Sequence, residues 1–340
     1  MTLRPGKLPA ALLAELLGKI AHNDPRVILG PGIGRDAAVI DLGGGRLLVA
    51  KTDPVTFAAE LIGWYAANVN ANDIACMGAH PAWFLATALL PPGAPDTLPG
   101  QIFDQLTAAC SALGIELVGG HTEVTIGIDH PIVIGAMLGE ASREEIVLGE
   151  SAEPGDCVLL TKGIAIEGTA LLARECGPLL AGRGVAAATI DRAKQMLFEP
   201  GISVVADARE VCGLARPRAM HDPTEGGLAT ALQELAQATN ATLRVDLDRV
   251  TVFEETRSIC GALGLDPLGL LASGALLAIV RPEDCERLVA RLTDIKIGCQ
   301  MIGRVEAGPA RVIMGAEDST TPLPQFARDE LARFFDEVQG

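Results

Sequence analysis

Apolar residues recur along this chain in two periods, every three to four positions in some stretches and every second position in others, and the two periods predict helices and strands in turn. Leu8 to Ile20 carries the helical period, with Pro5-Gly6-Lys7 ahead of it as a flexible arm. Short apolar runs at Ala37 to Ile40 and Leu47 to Ala50 predict strands. The helical period returns at Leu61, Trp64, Tyr65, Val69 and Met77 and stops at Gly78 and Pro81. A strand is predicted at Ala82 to Leu90, a turn at Pro91-Pro92-Gly93, a helix at Leu98 to Leu113, then strands at Ile115 to Val118 and Pro131 to Gly139. The second half repeats the alternation. Its predicted strands are Cys157 to Thr161, Leu243 to Asp246, Ala275 to Val280, Ile297 to Gly303 and Val312 to Met314. Its predicted helices are Glu167 to Cys176, Ala186 to Leu197, Ser203 to Val211, one opening at Gly226-Gly227, Phe253 to Leu263, Glu283 to Leu292 and a polar amphipathic tail, Leu323 to Gly340. The class is α/β.

At 340 residues the chain exceeds the size at which one hydrophobic core usually divides. The polar interval that ends at Pro154-Gly155-Asp156 is the expected boundary, giving domains 1–150 and 151–340. Almost half the residues are hydrophobic, yet no apolar run reaches the roughly 20 residues of a membrane span and the first twenty carry no signal-peptide pattern. A cytoplasmic chain without membrane contact is expected. The eight cysteines are dispersed with no Cys-x-x-Cys pair, so reduced, mostly buried thiols are expected. A formal charge of −16 argues against nucleic acid as a partner, and it lets a nucleotide triphosphate settle only with divalent metal between phosphates and carboxylates.

Candidate chemistry gathers in four places. Asn68, Asn70, Asn72 and Asp73 crowd the middle of the predicted helix although Asn and Asp are weak helix formers. Asn68 and Asn72 lie four apart with Asp73 beside them, offering two amides and a carboxylate to a polar ligand or a cation; a solvated stripe with local back-bonding is the alternative. The glycine-rich loop Gly30 to Gly34 leads through Arg35 to Asp36, and the next strand delivers Lys51, Thr52 and Asp53, which puts two carboxylates at strand ends where turn formation is also common. That loop fits neither the P-loop nor the dinucleotide fingerprint. Gly119-Gly120-His121-Thr122-Glu123 follows a strand, where two glycines permit close backbone approach and the next residues add donors, an acceptor and a metal ligand. A zinc site of His121, Glu123 and His130 fits no established spacing. Asp222-Pro223-Thr224-Glu225-Gly226-Gly227 opens a helix whose free N–H groups suit an anion, unless the segment is an ordinary Asp-Pro turn and cap. Lys7 is either folded over an anion or solvated.

Taken in order, Gly34-Arg35-Asp36-Ala37-Ala38-Val39, Thr52-Asp53, Asn72 to Ala79, Gly119-Gly120-His121-Thr122 and Asp222 to Leu228 resemble the motifs of the aminoimidazole ribonucleotide (AIR) synthase superfamily over nearly the full length. Within it the chain is most similar to the HypE-type hydrogenase maturation branch, through Asp222 to Ala229 and Leu263 to Leu268. The resemblance implies an N-terminal α/β domain whose strands form a barrel with a second subunit's, a C-terminal α/β domain, a homodimer, and ATP bound with Mg2+ near the subunit interface. It implies that Asp36, Asp53 and Asp73 hold the metal, helped by Asn72. Thr52, Asn68, Gly119, Gly120, His121 and Thr122 would then lie near the nucleotide, with Asp222, Gly226 and Gly227 facing the cleft, and Asp73, His121 and Asp222 would carry catalytic roles. The implied reaction is attack by an oxygen of a small-molecule or protein substrate on the γ-phosphate. Two departures stand out. Arg35-Asp36 replaces the family's acidic pair, and where HypE-type factors end in a reactive cysteine this chain ends Val338-Gln339-Gly340, its last cysteine being Cys299. A tail thiol is therefore not expected to take part. A nucleotide-binding maturation partner without turnover, or a small-metabolite kinase of the thiamin-monophosphate type, remains the alternative.

Overall fold

The computed structural model describes residues 6–21, 23–149, 152–315 and 321–339. Pro5 of the expected arm, the expected boundary at residues 150 and 151, and Gly340 at the end of the expected tail helix lie outside the described residues. The chain forms two compact units: one comprises His22–Gly30 and Asp36–Ile146, the other Met1–Ala21, Pro31–Arg35 and Val147–Gly340. The larger unit includes α1 (Ala10–Leu17), which starts the chain order.

The smaller unit contains β1 (Val27–Leu29), β2 (Ala38–Gly43), β3 (Arg46–Val55), α2 (Ile62–Cys76), β4 (His80–Leu90), α3 (Leu98–Leu113), β5 (Glu116–Val124) and β6 (Ile132–Ser142). Its strands form one sheet in the order β1-β2-β3-β6-β4-β5, antiparallel except for the parallel pair β4 and β5. Alternation decides which side of this sheet is covered. On β6, Val133, Gly135, Met137, Gly139 and Ala141 are buried while the residues between them are half-buried. Helix α2 lies on that buried side and comes close because two glycines admit it. A Cβ at Gly139 would sit 2.3 Å from Ile74 Cγ2, and one at Gly135 would sit 2.3 Å from Asn70 Nδ2. Gly63 performs the same service toward α3, since its Cβ would meet the Ile102 carbonyl at 2.7 Å. Thus α2 is enclosed on nearly every side, which accounts for its alanines and for a hydrophobic pattern that does not resolve into one stripe.

The larger unit continues with β7 (Cys157–Thr161), α4 (Ile166–Glu175), α5 (Gly177–Gly182), α6 (Ala187–Gln195), α7 (Val205–Leu214), β8 (Ala219–His221), α8 (Gly227–Ala238), β9 (Thr242–Val245) and α9 (Glu254–Leu263). After these come β10 (Leu277–Val280), α10 (Pro282–Asp294), β11 (Cys299–Glu306), β12 (Arg311–Met314), β13 (Thr321–Pro322) and α11 (Glu330–Gln339). Its sheet runs β13-β12-β9-β11-β7-β10-β8. Strand β7 is buried at every residue, as its unbroken apolar run requires, and Val158 and Leu160 join Leu228, Leu232, Leu235, Leu243 and Ile279 in the core.

Among the elements whose limits depart from expectation, which include β3 running on to Val55, two differ most. The strand expected to end at Val118 continues to Val124, because residues 119–124 pair in parallel with Leu85 to Leu90. Gly120 makes that pairing possible, since a Cβ there would lie 1.9 Å from the Ala86 carbonyl oxygen. The tail is helical only from Glu330, since Pro322 and Pro324 interrupt the pattern and Asp329 caps the helix by accepting the Leu331 N–H at 2.7 Å.

Candidate functional site

In the smaller unit the site is built on the buried side of β3. Leu47 and Val49 face α2, and the same alternation turns Lys51 and Asp53 toward that helix, so a charged pair extends an apolar row. Asp73 projects from α2 to meet them. The Lys51 ammonium lies 3.1 Å from Asp73 Oδ2 and 3.8 Å from Asp53 Oδ2. Burial works to lower the Lys51 pKa, but the charges of Asp73, Asp53 and Asp36, with a hydrogen bond to Asp73, outweigh it and hold the ammonium above its usual range. Two of the expected metal ligands, Asp53 and Asp73, therefore meet at one point, which holds a cation from the chain itself and feels the charge of the third, Asp36. Asp73 is only 4% exposed at its side chain, whereas Asp53 is 34% exposed, so solvent reaches the cluster from the Asp53 side.

The asparagines of α2 serve two purposes. Asn68 donates from Nδ2 to the Trp64 carbonyl at 2.9 Å, a back-bond within its own helix. Asn70 donates to the Ala66 carbonyl at 2.9 Å and also to the Asp53 carbonyl at 3.2 Å, tying the helix to the strand at the carboxylate. Asn72 is fully buried. Asn70 was visible in the sequence only as one of four crowded polar residues, and its bond to Asp53 had no separate signal. Lys51 did have one, because a lysine two places before an aspartate on a strand whose preceding alternate positions are apolar must share the buried side.

Other expected site residues are placed elsewhere in this unit. Thr52 points to the opposite side of the sheet from Lys51 and Asp53, and its Oγ1 donates to the Gly135 carbonyl at 2.7 Å. Gly119, Gly120, His121 and Thr122 lie on the exposed edge strand β5, three strand spacings from β3, or about 14 Å. They line an open cavity of 390 Å³ with Ala86, Ala88, Phe103 and Leu106. His121 Nε2 is 3.1 Å from Glu123 Oε2. His130 instead contacts Asp129 at 2.6 Å and the Thr56 carbonyl at 2.9 Å, so the zinc trio is not assembled.

In the larger unit, Asp222 is fully buried between β8 and α8. Gly226 and Gly227 adopt φ of +83° and +63°, and a Cβ on Gly227 would strike the Leu268 carbonyl at 2.4 Å. Several of the N–H groups expected to be free for an anion are engaged. Gly226 donates to Asp329 Oδ2 at 2.6 Å, Gly227 to the Thr224 carbonyl at 3.0 Å and Ala229 to the Leu268 carbonyl at 3.0 Å. One carboxylate from the far end of the chain thus caps both α8 and α11. Burial pushes Asp329 up to about 7 against these hydrogen bonds. Burial likewise pushes Glu167, on α4, up to about 7; a hydrogen bond from Ser273 opposes this, while the negative charges of Asp329 and Asp222 add to it. Lys7 is about half exposed at its side chain and also touches its own chain: its backbone N–H donates to Glu225 at 3.0 Å, and its ammonium contacts Thr224 at 3.4 Å and Glu234 at 3.8 Å. Glu234 also meets His221 at 3.1 Å.

A two-unit α/β chain with a carboxylate cluster beneath one sheet and a glycine-paired helix start in the other unit defines a recognisable class. Residues 34–141 match the family described as AIR synthase related protein, N-terminal domain, and residues 153–315 match its C-terminal domain. The chain belongs to the AIR synthase related family, and within it to the HypE-type branch. It is 29% identical over 91% of its length to the carbamoyl dehydratase HypE of Azotobacter vinelandii, covering 88% of that protein. It is 32% identical over 77% of its length to the selenide, water dikinase of Geobacter metallireducens, covering 73% of that one. A crystal structure of the hydrogenase maturation protein HypE in complex with ATP superposes with a TM-score of 0.67 at 24% identity, over 91% of this chain and 92% of that one, which establishes a common fold.

Proposed function

We propose that the protein binds ATP with Mg2+ at Asp36, Asp53 and Asp73 and transfers the γ-phosphoryl group to a carbonyl, amide or similar oxygen of a small molecule or a partner protein. The observation that carries this reading is the meeting of Asp53 and Asp73 at the Lys51 ammonium, 3.8 and 3.1 Å away, where the charge of Asp36 is also felt. Carboxylate oxygens are the donors a hard divalent ion prefers, so the chemistry of the set fits Mg2+. Bound there, the metal would neutralise charge on the transferring phosphate, and positioning by the chain would supply most of the remaining acceleration. Asn70 contributes by fixing the backbone of Asp53. Kinship supports the nucleotide: one HypE has been solved with ATP, and another relative is a dikinase.

We further propose a homodimer, formed through the side of the smaller unit's sheet that α2 does not cover, with His121 and its glycines near the nucleotide at the subunit interface. Titration calorimetry with Mg-ATP tests the site. The wild-type chain should bind, and Asp53→Asn should bind at least roughly tenfold more weakly while remaining folded by circular dichroism. Equal binding by the two proteins would overturn the assignment.

A further inference from the structure

The cationic point in the carboxylate cluster is the chain's own. We infer that Lys51 is a resident counter-cation that excludes metal from the empty site and, when a metal-bound triphosphate enters, turns from Asp73 to the phosphate. This rests on the nucleotide site proposed above. The argument begins with crowding. An ion bound by Asp53 and Asp73 would contact carboxylates whose Oδ2 atoms lie 3.8 and 3.1 Å from the ammonium, which leaves two cations within a few ångströms of each other in a partly buried setting. Free metal therefore competes against an ion pair that is already formed, and it must shed its own hydration shell to do so. A metal-bound triphosphate is a different visitor, because it brings acceptor oxygens to which the ammonium can move.

Lys51 has the means to move. Its side chain is 23% exposed, and the more open carboxylate, Asp53, is the one it contacts less closely. Its four-carbon stem is anchored on β3 beside Asp53, so the head can swing through several ångströms without disturbing the strand. The consequence is coupling: metal and nucleotide must each raise the affinity of the site for the other, and Lys51 is the residue through which they do so. Lys51 thereby sets the order of loading and positions a phosphate oxygen.

The test uses Mn2+ alone, followed by electron paramagnetic resonance, and then Mn2+ with a non-hydrolysable ATP analogue. Wild-type protein should bind Mn2+ weakly by itself and more tightly with the analogue. Lys51→Met should bind Mn2+ alone about tenfold more tightly than wild type or better, and should lose most of the analogue's effect on the metal. Its melting temperature should fall without metal, because buried Asp73 loses the ammonium that lies 3.1 Å from it, and should recover on adding Mg2+ alone. Lys51→Arg keeps the charge and should keep the wild-type coupling, which guards against a Met variant that fails to fold. Unchanged Mn2+ affinity in folded Lys51→Met, or wild-type protein that binds Mn2+ as tightly without the analogue as with it, overturns the inference. Failure of wild type to bind the analogue at all overturns the nucleotide reading instead, and the metal-only comparison still judges Lys51.

Discussion

Glu167 and Asp329 show what burial does to single residues in the larger unit. Both carboxyls are pushed up to about 7 from ordinary values of 4.5 and 3.8, in each case chiefly by loss of water. Between those limits the folded chain holds protons that the unfolded chain has released, so stability falls as pH rises from about 4 to 7 and levels off on either side. Glu167→Gln carries no proton to lose and should flatten this decline. The expected effect is on the order of 2 kcal/mol less loss between pH 5 and pH 8, read from urea unfolding midpoints at the two values. A wild-type slope retained in the variant would show that Glu167 does not titrate there. Asp329→Asn should behave differently, because the carboxylate caps α8 and α11 at once. Neither residue was marked by its sequence. Glu167 sits in an otherwise apolar and small-residue run, Ile164 to Ala173, and only the fold brings Asp329 across from the other end of the chain to Gly226.

At the scale of elements, the close seat of α2 on its sheet joins stability to the site. Gly139→Ala would drive a Cβ into Ile74 and the His80 carbonyl, and Gly135→Ala would drive one into the Asn70 amide and Phe84. Each should cost about 1–3 kcal/mol, seen as a lowered melting temperature. Only Gly135→Ala should also weaken Mg-ATP binding, because Asn70 is the link between α2 and the Asp53 carbonyl. If both variants bound Mg-ATP equally well, Asn70 would have no part in holding the site. The same elements show what was legible in advance. Helix α3, with a helical period, and strand β7, an unbroken apolar run, match their expected limits, since breakers flank each. The full extent of β5 was hidden, because two glycines read as a loop until a neighbouring strand claims their backbone. The acidic trio could be named by motif, yet the lysine at its centre emerges only when the alternation of β3 is set against the position of Asp73 on α2.

For the whole molecule, the uncovered side of the smaller unit's sheet is the decisive surface. Pairing register places Ile40 beside Leu48, Ala50 beside Leu138, and Thr87 beside Ile134, with Leu85 and Leu89 next along, all on the side away from α2 and all half-buried. An apolar row of this kind spanning several strands is what a second sheet covers, as in other face-to-face sheet packings. The occupant proposed above is a second copy, with the exposed edge of β5 in or beside the interface so that it brings His121 with it. A chain with a formal charge of −16 gains little from bringing two copies together electrostatically, so association must rest on this apolar area and should strengthen with salt. Light scattering coupled to size exclusion should give twice the 35.3 kDa chain mass for wild type. Ile134→Lys, which sets a charge in the middle of the row without touching the α2 side, should run as a folded monomer. A wild-type monomer at micromolar concentration in moderate salt would remove the dimer and, with it, the expectation that His121 reaches a nucleotide across an interface.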